Sequence, residues 1–181
     1  TGLLKVGATL LLCAPYPPML FMGEEWAAGT PWQYFSSHPQ RKLANAVTRG
    51  RRREFAAHGW PRGSVPNPQD PRTFQRSKLD WSEPDRPPHR DILEFYRALI
   101  RLRRSRPELS DPHLDQVSVR HGADWLVMRR GRLGVAANLA EARLELPMAT
   151  VQVVLASDSG VATTDGVLEL PGETAAVVEL A

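Results

Sequence analysis

Apolar positions along the chain fall into successive textures. Residues 3–13 read as the end of a helix, with Leu3, Leu4 and Val6 leading into a nearly continuous apolar run that ends at Cys13. Pro15, Pro17 and Pro18 interrupt the chain, and Met19, Leu20, Phe21 and Met22 then form a four-residue apolar run closed by Gly23. A short strand that is apolar on both faces belongs in a parallel sheet covered by helices. A helix feeding through a short loop into such a strand is the repeat unit of α/β architecture. Residues 24–87 lack sustained periodicity, apart from one helix expected over 41–57. Its stripe of Leu43, Val47 and Phe55 is thin, because Arg51 shares the same four-residue spacing. From Trp60 to Pro88 the chain is dense in proline, aspartate, asparagine and serine, and no regular structure is expected there. Loops this long are usually functional or mobile. The clearest helix spans 89–105: Ile92, Leu93, Tyr96, Leu99, Ile100 and Arg103 repeat at helical spacing, between the entry prolines Pro87 and Pro88 and the terminating Pro107.

Beyond Pro112 the period changes to that of strands. Val117–Val119, Trp125–Met128, Leu133–Asn138, Leu144–Leu146, Val151–Leu155, Val167–Leu170 and Ala175–Leu180 are short β-branched or apolar runs separated by turn residues such as Asp165-Gly166 and Pro171-Gly172. That spacing predicts an antiparallel sandwich or curled sheet, with a boundary near residue 110.

Composition narrows the possible roles. The 181 residues are 42% hydrophobic and 24% charged, ordinary for a chain that buries a core. No stretch approaches the roughly 20 consecutive apolar residues a membrane span needs, so no membrane partner is expected. The single cysteine, Cys13, excludes an internal disulfide framework and a cysteine-based zinc site, and its apolar surroundings point to a buried, inert thiol. The five histidines (His38, His58, His89, His113 and His121) show no metal-ligand spacing, so neither a metal nor a cofactor is expected. The net charge of +3 is concentrated in Arg49, Arg51, Arg52 and Arg53. No aromatic interleaving accompanies this cluster and Glu54 breaks it, so a solvated helix face is expected rather than nucleic-acid binding. The chain opens at Thr1 without a charged leader or a methionine, inside a helical pattern, and reads as a piece of a longer cytoplasmic protein.

The residues after Met22 carry the candidate chemistry. In a (β/α)8 barrel the loops after strand C-termini build the active site, which would put Gly23, Glu24, Glu25 and Trp26 on the functional face. Two carboxylates and an indole, followed by Trp32, Tyr34 and Phe35, suit sugar binding: aromatic faces stack on pyranose rings and carboxylates accept hydroxyl hydrogens. Packing within the loop is the simpler reading for Phe35. Adjacent residues on an extended strand end point to opposite sides, so Glu24 and Glu25 are badly placed to act as a catalytic pair. Gln69 and Asp70, with Arg76, Lys78, Asp80 and Trp81, are the polar and aromatic candidates of the second loop; Arg76 or Lys78 pairing with Asp80 would pin it, and Trp81 is expected to anchor it.

Pro17 to Trp26 (PPMLFMGEEW) resembles the eighth barrel strand and following loop of the α-amylase superfamily, glycoside hydrolase family 13. Thr30–His38 (TPWQYFSSH), Gly50–Phe55 (GRRREF), Val65–Pro71 (VPNPQDP) and Thr73–Trp81 (TFQRSKLDW) are similar to the branch of that family that acts on maltooligosyl-trehalose. Phe95–Arg104 would then lie on the last barrel helix. The resemblance implies an α/β plus all-β fold: residues 1–110 as the C-terminal part of a TIM-barrel catalytic domain, contributing its last strand and helix with long loops, and residues 111–181 as a small antiparallel β-sandwich-like domain. It further implies a retaining hydrolase that frees trehalose by cutting an α-1,4-glucosidic bond. Such enzymes need a nucleophilic carboxylate about 5–5.5 Å from an acid/base carboxyl.

In the family those carboxylates follow the fourth, fifth and seventh strands, before the first residue here, and the asparagine–histidine–aspartate triplet carrying one of them does not occur. No catalytic residue is therefore expected on this chain, which alone would be inactive. Glu24, Glu25, Trp26, Trp32, Gln69 and Asp70 are the expected substrate-side residues. The expected partners are maltooligosyl-trehalose or a related α-glucan, and the N-terminal part of the same enzyme. A branching or debranching enzyme of the same superfamily is an alternative, as is a non-catalytic carbohydrate-binding or structural module. The β segment, with Trp125 as its one aromatic after residue 115, fits a structural cap better than a glycan-binding sheet.

Overall fold

The computed structural model describes residues 1–61 and 63–181, which form two compact units. One unit comprises residues 1–27 and 83–181, the other residues 28–82.

The larger unit is built on eight strands: β1 (Val117–His121), β2 (Trp125–Arg130), β3 (Leu133–Asn138), β4 (Leu144–Pro147), β5 (Thr150–Ala156), β6 (Ala162–Thr164), β7 (Val167–Leu170) and β8 (Thr174–Leu180). They make a five-stranded sheet in the order β1-β2-β3-β8-β5 and a three-stranded sheet in the order β4-β7-β6, antiparallel at every pairing. All seven strands expected from the pattern are present. β6 was not expected, because Ala162, Thr163 and Thr164 carry no apolar alternation and gain their place from the turn that follows. That turn places both Asp165 and Gly166 at positive φ, 51° and 78°, the geometry a two-residue hairpin requires.

Strands β3 and β8 are buried on both faces, so side-chain alternation sorts their residues into two cores. Val135 and Val177 are register partners and face the helical side, together with Met128 and Leu133. Ala136 and Ala176, also partners, face the opposite side with Val127 and Val178, against Leu146, Leu168 and Leu170 of the smaller sheet. The two sheets thus pack face to face as the sandwich-like arrangement expected.

The helical side is formed by α1 (Gly2–Cys13), α4 (His89–Ser105) and α5 (Pro107–Ser110). The expected helix over 89–105 is reproduced, with its stripe turned slightly: Phe95 and Leu102 are buried with Ile92, Tyr96 and Leu99, while Leu93 and Ile100 lie at the margin. Helix α1 stops at Cys13 because Ala14 precedes Pro15 and is forced into extended geometry, ψ 154°. Its last carbonyls need donors from elsewhere, since helix C-termini leave up to four unsatisfied. Arg103 donates to the carbonyls of Leu12, Ala14 and Tyr16, at 2.7, 2.8 and 3.0 Å. Arg130, 2% exposed, donates to the carbonyl of Cys13 at 2.8 Å and to that of Asp111.

The Cys13 thiol is 1% exposed, and burial pushes its pKa up to about 12 despite the opposing pull of Arg103 and Arg130. The thiolate is the reacting form, so Cys13 is expected to resist disulfide-exchange reagents at pH 8 and to react only on unfolding. Stoichiometric labelling within seconds in native buffer would contradict this burial.

The four-residue run Met19–Met22 is not a strand here. All four residues are exposed, from 37% at Leu20 to 86% at Met19, and none belongs to either sheet. A strand exists only through hydrogen bonds to a neighbour, and among the described residues every pairing strand lies at or beyond Val117. The expected parallel strand is thus not formed among the described residues, where the run is an exposed apolar segment. Glu24–Trp26 forms one 3-10 turn rather than an extended strand end.

The smaller unit contains α2 (Arg41–Ala57) and α3 (Pro71–Arg76). The bounds of α2 match the expectation. Helix α3 falls where no regular structure was expected: Asp70 caps it, accepting from the Arg72 amide at 2.9 Å, and Pro71 occupies the first turn, where its missing amide hydrogen costs nothing. Helix α2 buries none of its residues, and the apolar core clusters contain none of the described residues of this unit. Side-chain hydrogen bonds hold it instead. Thr73, fully buried, donates to the carbonyl of Asn67 at 2.7 Å, and Ser77 donates to that of Thr73 at 2.9 Å.

Candidate functional site

The expected substrate-side residues divide between the two units. Glu24, Glu25 and Trp26 belong to the larger unit; Trp32, Gln69 and Asp70 belong to the smaller.

In the larger unit the turn at 24–26 is tied down from several directions. Phe21 donates its amide to Glu24 Oε2 at 3.0 Å, and Tyr96 on α4 donates its hydroxyl to Glu24 Oε1 at 2.9 Å. Burial, and then the Glu24 hydrogen bond, hold the Tyr96 phenol well above its ordinary pKa, so it remains a donor at every physiological pH. The Trp26 indole, 2% exposed, donates to Glu83 Oε2 at 3.1 Å, and its carbonyl contacts His89 Nδ1 at 2.9 Å. Trp26 is thus packed into the protein, with no ring face open for a sugar, and the stacking role expected of it gives way to an anchoring one. Glu24 is likewise engaged by its own loop and by α4. Glu25 is different. Among the described residues it makes no hydrogen bond or ion pair, and it is half-buried. Successive residues of a 3-10 turn are about 120° apart, so the two carboxylates still diverge, though not by the strand alternation expected.

In the smaller unit Gln69 and Asp70 are organisers of the loop. Gln69 Oε1 accepts from the His38 amide at 3.0 Å while its Nε2 donates to Ser36 Oγ at 2.6 Å, joining two segments distant in sequence. Asp70 pairs with Arg72 through both carboxylate oxygens, which lowers its pKa to about 2. The cap it provides on α3 is therefore complete above the ordinary carboxylate pKa and is lost only as the pH falls towards about 2.

Trp32 is 51% exposed and meets Phe35 edge-to-face at 5.4 Å; Phe35 in turn meets Phe74 at 5.0 Å, the packing role expected of it. Trp81 is 73% exposed. Lys78 lies over the Phe74 ring at 4.9 Å. Arg49, Arg52 and Arg53 face solvent, as expected of a solvated helix face. Arg51 turns the other way, 4.8 Å from the ring centroids of both Tyr34 and Phe55. Together with Trp32, Trp60, Pro66 and their neighbours, these residues line a cleft of about 360 Å³. Arg51 and Trp60 were not read as site residues from the sequence. The one available signal was that Phe55 and Arg51 share a helix face with i,i+4 spacing.

Among the described residues no three histidine, cysteine, aspartate or glutamate side chains converge as a metal site, and no helix is long and apolar enough to cross a membrane.

The chain is 46% identical to a malto-oligosyltrehalose trehalohydrolase of Brevibacterium helvolum over 98% of its length, which is 31% of that protein. It is 47% identical to the one of Rhizobium sp. strain M-11 and 43% identical to the one of Mycobacterium tuberculosis, over 98% and 99% of the chain. The chain belongs to the malto-oligosyltrehalose trehalohydrolase family. It spans about a third of the length of these relatives. Residues 112–177 match the family of domains described as "Domain of unknown function (DUF3459)". Among solved structures, a Salmonella typhimurium protein assigned to the alpha amylases superposes with a TM-score of 0.81 at 30% identity, over 99% of this chain and 31% of that one. An isomaltulose synthase of Erwinia rhapontici NX5 shares the fold with a TM-score of 0.62 at 15% identity, over 98% of this chain and 38% of its own. The antiparallel β domain and its helices are thus a fold found in sugar-converting enzymes.

Proposed function

We propose that the chain is the C-terminal portion of a cytoplasmic glycoside hydrolase that releases trehalose from maltooligosyl-trehalose, cutting an α-1,4-glucosidic bond with retention of configuration. Identities of 43–47% to trehalohydrolases over nearly the whole chain carry this reading. In it, residues 1–110 complete a (β/α)8 barrel, with Met19–Met22 as its closing strand and α4 as its last helix, and residues 111–181 cap it. The exposed apolar run at 19–22 supports that placement, since it has the composition of a buried strand and belongs to neither sheet among the described residues. The nucleophile and the acid/base lie on the earlier strands. Here Glu24, Trp26, Gln69 and Asp70 shape the substrate-side loops, and Glu25 and Trp32 reach the glucan. The binding energy of such remote contacts serves to orient the scissile bond.

The test is to assay the full-length protein on maltotriosyl-trehalose, following trehalose release and the anomeric configuration of the new reducing end. Release with the α-anomer formed first is the expected result, and the 181-residue chain alone should release none. Transfer of glucan to a new branch point, or turnover by the isolated chain, would overturn the proposal.

A further inference from the structure

We infer that the cleft bounded by Trp32, Tyr34, Arg51, Phe55, Trp60 and Pro66 is a binding site for a short stretch of neutral α-1,4-linked glucan. The inference rests on the reading that the chain serves a maltooligosaccharide-cleaving enzyme, and it adds a site formed entirely within residues 28–82.

Three observations carry it. Trp32, Tyr34 and Trp60 are 51%, 45% and 51% exposed around one concavity, although they come from segments nearly thirty residues apart. Single exposed aromatics are ordinary on a protein surface, but three gathered round one cleft mark a binding surface. The rings are also held in place rather than free to collapse. Trp60 packs edge-to-face on Phe55 at 4.9 Å, its amide donates to the Phe55 carbonyl at 3.1 Å, and Arg51 is wedged between Phe55 and Tyr34. Such rings present a rigid apolar face with polar tips, which suits a ligand that is apolar on its ring faces and hydroxylated at its rim.

Charge then selects among ligands. Arg51 is paired with Glu54 at 2.7 Å, so the guanidinium offers hydrogen bonds without a net positive site, and an anion gains little there. A neutral polyol that accepts hydrogen bonds from Arg51 fits better. The cleft, about 360 Å³, falls at the small end of ligand sites, which run from about 300 to 1,000 Å³, and suits a few sugar rings rather than a folded partner.

The experiment uses the full-length protein with fluorotryptophan incorporated and the Trp60 resonance identified through Trp60→Phe. Adding maltoheptaose is expected to shift that resonance saturably. Trp60→Ala should lower the ratio of kcat/KM for long over short maltooligosyl-trehaloses by about tenfold, the loss of one aromatic stacking contact, and Trp60→Phe should stay within about twofold of the native ratio. If trehalose is released normally yet the resonance does not move, or the ratio is unchanged in Trp60→Ala, the cleft is not a glucan site. A loss in Trp60→Phe as large as in Trp60→Ala would assign the ring to packing and also overturn the inference. If the unaltered protein releases no trehalose at all, the parent proposal fails instead, and the resonance shift still decides whether the cleft takes glucan.

Discussion

Replacing Arg130 with leucine lowers the stability of the larger unit by about 3 kcal/mol, the sum expected for one buried and one partly buried carbonyl acceptor left without donors at roughly 1–3 kcal/mol each. The guanidinium is 2% exposed, at the end of β2, and bonds the carbonyls of Cys13 and Asp111, which lie 98 residues apart in sequence. Leucine fills much of the volume but donates nothing, so the cost arises from the stranded oxygens more than from lost packing. For a chain of this size the melting midpoint should fall by roughly 6–12 °C. Arg130→Lys, which can reach one carbonyl but not span both, should fall between the two. Circular dichroism melts of the three proteins decide the matter, and a midpoint unchanged within about 2 °C for Arg130→Leu would show that water replaces the guanidinium without loss.

The chain expressed by itself self-associates, and the segment at 19–22 is the cause. Met19, Phe21 and Met22 are 86%, 50% and 53% exposed, and Leu3 and Leu4 on α1 are also open at 49% and 52%. Apolar surface of this extent favours association between copies of the chain. Light scattering at micromolar concentration should therefore show mostly aggregate for the native sequence and mostly monomer for the double substitution Met19→Lys, Phe21→Lys. On the proposed placement of the run as a barrel strand, the same two lysines in the full-length protein should abolish folding. A native chain that stays monodisperse at about 100 µM would sink the placement of 19–22 as a barrel strand. The lysine-substituted chain is also a suitable background for the Arg130 melts.

Much of the architecture is legible in the amino-acid order. The bounds of α4 follow from its flanking prolines and periodicity, those of α2 from its thin apolar stripe, and seven strands from apolar runs between turn residues. The misses have physical causes. Helix α3 is hidden because a proline marks loops in general, whereas Asp70-Pro71 is also how a helix begins. The Met19–Met22 run has a strand's composition but not its partners, and hydrogen bonding cannot be read from one segment. The site was legible only where a residue's type announces itself, as for Trp32 and Tyr34. Arg51 and Trp60 meet them through the folding of an aperiodic segment held by polar bonds such as those of Gln69, and no local pattern records such a meeting. Trp26 shows the converse, since an aromatic beside two carboxylates suggests a sugar platform while its environment makes it a peg.

The central strands β3 and β8 serve two cores at once, Val135 and Val177 towards the helices and Ala136 and Ala176 towards the second sheet. One consequence concerns modularity. The matched family segment begins at residue 112, after the helices that cover half of those strands, so it cannot be shuffled between proteins as an independent cassette. Recombination that moves it must carry a compatible α1 and α4 surface along, which couples the evolution of the terminal segment to that of the helices preceding it.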